Sequence, residues 1–133
     1  MCSRFEHIRC LENASAVQHL LERLDHRTGL AALHITLLHS WECWVLRVRS
    51  RRRLSETACA DLRALIKEYS LPPPADPRLG LALLHLDRGL APVEVMQRLQ
   101  VPIVVCGQFH PEDLEVFCES FTRGLGYRPA SLR

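Results

Sequence analysis

The chain carries a single lysine, Lys67, so almost all of its positive charge is arginine. Arginine's planar fork suits bidentate and interface contacts better than lysine's point charge does. Codon usage in a GC-rich genome produces the same bias without any functional demand. The N-terminal residues Met1-Cys2-Ser3-Arg4-Phe5-Glu6-His7 lack the apolar segment of an export signal. No apolar run approaches the roughly 18 residues that a membrane span needs. A cytoplasmic protein without a membrane partner is therefore expected. Thiols are kept reduced in that compartment. Cys2, Cys10, Cys43, Cys59, Cys106 and Cys118 show no regular spacing, so free, mostly buried thiols are expected.

Motifs that carry chemistry are also missing. There is no GxSxG, P-loop, GxGxxG or HExxH. No CxxC occurs, and the pairs His7/Cys10, His39/Cys43 and Cys106/His110 do not assemble into a four-ligand zinc pattern. The expectation is no enzyme, no metal and no cofactor. Cys106 follows an apolar run and precedes a helix start, which is where a thiolate nucleophile would sit. A phosphatase-like loop would need arginine six positions on, and Glu112 stands there instead. A cysteine-dependent enzyme thus ranks third among the functional readings.

What is present is the pattern of one globular domain over residues 1–133, with 47% apolar and 24% charged residues. Asn13 can cap a helix in which Val17, Leu20, Leu21 and Leu24 recur at helical spacing, with Gly29 as its stop. Leu33, Ile35 and Leu37 alternate, as do Trp44, Leu46 and Val48. This predicts an antiparallel hairpin over about 31–49, turning near Ser40. Leu30, Leu33, Leu37, Leu38 and Trp41 also fit a helical stripe, so an all-α fold is the alternative. Ser55 caps a helix to about Tyr69, with Cys59, Leu62, Ile66 and Tyr69 inward, and Leu71-Pro72-Pro73-Pro74 makes a stiff connection after it. Asp76-Pro77 and Ala91-Pro92 open two further helices. A short strand over 101–106 and a last helix from about Pro111 to Arg123 complete the chain. The predicted class is α+β, mostly helical, with a short antiparallel sheet covered by helices on one face.

Two clusters invite a partner. Arg47, Arg49, Arg51, Arg52 and Arg53 follow an alternating strand, which predicts Arg47, Arg49 and Arg51 on a solvent face. Phosphate or an acidic protein surface would suit them. The last helix sets Glu112, Asp113, Glu115 and Glu119 beside an apolar stripe of Leu114, Phe117, Cys118 and Phe121. Phe121 is expected in the core, and Phe117 and Leu114 at an interface. Trp44 is expected in the core, and Trp41 at the surface as a candidate anchor.

Arg78-Leu79, Ala82 and Leu86, then Val95-Met96 and Leu99, then Phe117, Phe121, Gly126, Pro129 and Arg133 give residues 78–133 a partial resemblance to a known family. They resemble the C-terminal helix-turn-helix half of the AraC/XylS-type transcription regulators. The resemblance implies that the closing residues are structural anchors rather than base contacts. The chain departs from that pattern where Pro102 to Cys106 interrupts the turn. It departs again where four acids occupy the would-be recognition helix, facing a phosphate backbone they would repel. The leading expectation is a small non-enzymatic regulator acting by protein–protein interaction. It would sequester a transcription factor in the manner of an anti-activator, as a homodimer, through Phe117, Leu114, Trp41, Arg51, Arg52 and Arg53. A DNA-binding regulator using the C-terminal half is the second reading.

Overall fold

The computed structural model describes residues 2–39, 43–99 and 103–107, together with residues 115, 118, 119, 122, 123 and 126. Its elements run β1 (Cys2–Leu11), α1 (Ala14–Arg27), a 3-10 turn (Leu30–Ala32), β2 (Leu33–His39), β3 (Trp44–Ser55), α2 (Glu56–Glu68), α3 (Pro77–Asp87), α4 (Pro92–Leu99) and β4 (Ile103–Gly107). The four strands form one antiparallel sheet in the order β1-β3-β2-β4. This is the α+β class predicted from the residues, and the all-α alternative does not hold.

Local chemistry places the helices where the caps stand. The Asn13 side chain accepts the Ala16 N–H at 2.8 Å, and Ser55 Oγ accepts the Ala58 N–H at 3.1 Å. Asp76 accepts the Arg78 N–H at 3.0 Å, with Pro77 in the first turn. Gly29 ends α1 at φ +85°, where a side chain would be strained, and its N–H reaches the Leu24 and Asp25 carbonyls.

The predicted hairpin is present: Leu33 to His39 on β2 pair with Ser50 to Trp44 on β3. β3 is longer than its apolar alternation indicates and runs on through the arginines to Ser55. β4 occupies the expected strand and pairs with β2. β1 was not anticipated. It is tied to β3 along its length, and the Cys10 and Leu71 backbones exchange two 2.8 Å hydrogen bonds on its outer edge. The proline connection therefore covers part of an edge that would otherwise stand open.

The expectation of helices on one face is corrected. Trp44, Leu46 and Val48 of β3 point into a core with Val17, Leu20, Leu21 and Leu24 of α1, Leu62 and Ile66 of α2, and Cys118. Val45 and Leu38 point the other way, onto Leu79, Ala82 and Leu83 of α3 and Val95 of α4. Each fully buried leucine contributes about 1.5–3 kcal/mol, so Val17, Leu20, Leu21 and Leu24 hold α1 in place far more strongly than helix propensity could. Trp44 is fully buried, as expected, with the buried His39 ring 4.6 Å away.

Candidate partner-binding surface

Strand geometry turns Arg47 and Arg49 onto the sheet face that carries α3 and α4. The expected solvent exposure fails for Arg47, which is only 3% exposed. The reason is Asp87, the last residue of α3. Arg47 donates two hydrogen bonds to its carboxylate, at 2.9 and 3.1 Å, and a longer one to Thr36 Oγ1 at 3.4 Å. Arg49 donates two more to the same carboxylate, at 3.0 and 3.1 Å, and one to Glu6 at 3.2 Å. Burial alone would raise the Asp87 pKa. The hydrogen bonds from Arg47 and Arg49 outweigh it and hold the carboxyl below its ordinary value. One local signal hinted at this arrangement. An acid in the last turn of a helix opposes the helix dipole, so a cation is needed to hold it there.

Arg51, Arg52 and Arg53 differ in kind. They stand on the part of β3 beyond Ser50, which faces Leu33, the first residue of β2. Among the described residues only β1 pairs with β3 there, with Arg53 opposite Arg4 and Leu54 opposite Ser3. The register slips between Arg4 and Glu6, and the Phe5 N–H is satisfied by Ser50 Oγ at 2.9 Å instead. All three arginines and Arg4 are exposed, and none makes an ion pair among the described residues. His34, opposite Arg49, has its pKa lowered by burial and then by Arg51, Arg47 and Arg49. It is therefore neutral at pH 7 and adds no positive charge of its own. A cavity of about 370 Å³ opens beside Arg51 and Arg52, between β3 and the 3-10 turn.

The other predicted residues are placed as follows. Trp41, Leu114, Phe117 and Phe121 lie outside the described residues, as does His110. Cys118 is buried in the first core, and Glu119 is exposed. Cys106 stands on β4 opposite Thr36. His7 meets Arg63 at 2.9 Å, and Phe5 stacks nearby. Cys10, three residues on, belongs to the other face of the strand, where its thiol hydrogen-bonds Cys43. His39 lies against Trp44, whereas Cys43 packs on the second core. Among the described residues no three His, Cys, Asp or Glu side chains are grouped to hold a metal ion. Among them too, no helix is long and apolar enough to cross a membrane.

No protein-family model matches the chain. No curated protein matches it, and no solved structure does.

Proposed function

We propose that this protein is a non-enzymatic cytoplasmic regulator that binds an acidic surface of a partner protein through Arg51, Arg52 and Arg53. The observation that carries the reading is the division among the arginines of one strand. Arg47 and Arg49 are neutralised by Asp87 and Glu6, and the next three are exposed with no acid to meet them among the described residues. Exposed arginines so close together favour an anionic partner and a bidentate grip on carboxylates. A transcription factor or a signalling protein held away from its target is the proposed partner class. Phe117, Leu114 and Trp41 are the proposed apolar anchors, and a homodimer is the proposed assembly.

The test is affinity capture from the native host with the wild type and with the Arg51→Ser, Arg52→Ser, Arg53→Ser triple variant. The captured proteins are identified by mass spectrometry and the affinities measured with the purified partner. Loss of about tenfold or more in the triple variant supports the reading. An unchanged affinity sinks it. DNA is the second reading, because the same arginines suit phosphate. Helical Glu115 and exposed Glu119 weigh against it where they would face the backbone. Duplex binding that falls steeply as salt rises would favour it over the first.

A further inference from the structure

β2 starts at Leu33, opposite Ser50, because the chain ahead of it turns aside through Gly29 and the 3-10 turn Leu30–Ala32. β3 does not stop there. Arg51 and Arg52 lie in the register slip with no partner on β1, Arg53 and Leu54 pair with Arg4 and Ser3, and no backbone hydrogen bond to another described residue closes the opposite edge from Arg51 to Leu54. The cavity of about 370 Å³ lies between this part of β3 and the residues just ahead of β2. Ala31, Ala32, Leu33 and Leu54 give it an apolar lining, and Arg51 and Arg52 stand at its rim. Its size lies within the roughly 300–1,000 Å³ of ordinary ligand sites.

We propose that this cleft takes an extended acidic segment of a partner protein, which adds as a strand beside Arg51–Leu54 and seats one apolar side chain in the cavity. The proposal rests on the reading of Arg51–Arg53 as a partner site and specifies what that partner presents. Each feature fixes one property of the occupant. An open strand edge offers backbone donors and acceptors, which an extended chain satisfies and a helix does not. The unpaired arginines set the sign of its charge. The alanine and leucine lining calls for an apolar side chain at one position, with acids on either side of it. The two alanines are exposed, so the cavity is a surface notch rather than a core void.

The probe is the synthetic peptide Asp-Glu-Leu-Glu-Val-Asp, titrated into the full-length ¹⁵N-labelled protein. Saturable amide shifts are expected at Arg51–Leu54 and Ala31–Leu33. A peptide with serine for both apolar residues should bind about tenfold more weakly, as should Ala32→Leu, which fills the cavity. Ala31→Leu is the second filling variant, and thermal melts confirm that each is folded. No saturable shift, shifts confined to another surface, or full binding by both filled variants would overturn the proposal. So would a DNA duplex that shifts the same amides more strongly than the peptide does. The two readings separate on the captured partner. If its affinity depends on Arg51–Arg53 but not on Ala31 or Ala32, the arginine site stands and the strand slot falls. If the triple arginine variant binds the partner normally, the arginine reading itself falls.

Discussion

Replacing Asp87 with asparagine keeps the size of the side chain and removes the charge that four hydrogen bonds from Arg47 and Arg49 converge upon. Arg47 would then be a cation with almost no access to water. Breaking a fully buried ion pair from one side costs about 3–5 kcal/mol, because the remaining charge is uncompensated. Asp87 itself is 34% exposed, and an asparagine oxygen can still accept one bond. Water therefore screens part of the loss, and a cost of about 2–3 kcal/mol is expected. Against a total stability of about 5–15 kcal/mol this is readily measured by urea denaturation followed by tryptophan fluorescence. Arg47→Met supplies the second edge of a double-mutant cycle. Asp87→Asn should cost much less in that background, since the buried charge is already gone. The low folded pKa of Asp87 adds a check. Its contribution is present above the unfolded carboxyl pKa of about 3.9 and is lost as pH falls through the lower folded value, so wild type and variant should converge in strong acid. A loss below about 0.5 kcal/mol for Asp87→Asn, the range of ordinary surface changes, would refute the claim that this carboxylate pins α3 to the sheet.

Changing Arg51, Arg52 and Arg53 together to serine should move the melting temperature very little, since each exposed site is worth within about 0.5 kcal/mol; a large loss would place them in a structural network instead. His39 is fully buried and its pKa is lowered by that burial to about 4. The unfolded chain, titrating near 6.5, binds the proton first, so stability should fall as pH drops from about 6.5 to 4, by up to about 3 kcal/mol. Urea melts across that range on wild type and His39→Leu measure the share that belongs to this ring, and equal slopes would exclude it. Burial and the hydrogen bond with Cys43 push the Cys10 thiol up to about 12. Iodoacetamide at pH 7 should leave Cys10 unmodified in the native protein and label it after denaturation, with peptide mapping as the readout.

Local chemistry was enough to define the helices and one strand pair. Asn13, Ser55 and Asp76-Pro77 announce helix starts because a side-chain oxygen next to unpaired backbone N–H groups satisfies them wherever the chain later goes. The spacing of Val17, Leu20, Leu21 and Leu24 announces one buried face, and the alternation of Trp44, Leu46 and Val48 another. β1 carries no such alternation. Phe5 and Leu11 serve one core while Ile8 packs against the other, so apolar residues stand on both faces and no apolar–polar alternation shows. The candidate site was half legible for the same reason. Five arginines in seven positions mark the strand as a place for anions, and their spacing puts Arg47, Arg49 and Arg51 on one face. Spacing cannot say what comes to lie on that face. The fold brings Asp87 onto Arg47, 40 positions away, and onto Arg49, 38 positions away. It also starts β2 too late to cover Arg51 to Leu54. Tertiary contact alone separates the arginines that hold the sheet to its helix from those left free to meet a partner, because charge neutralisation depends on distance in space rather than along the chain.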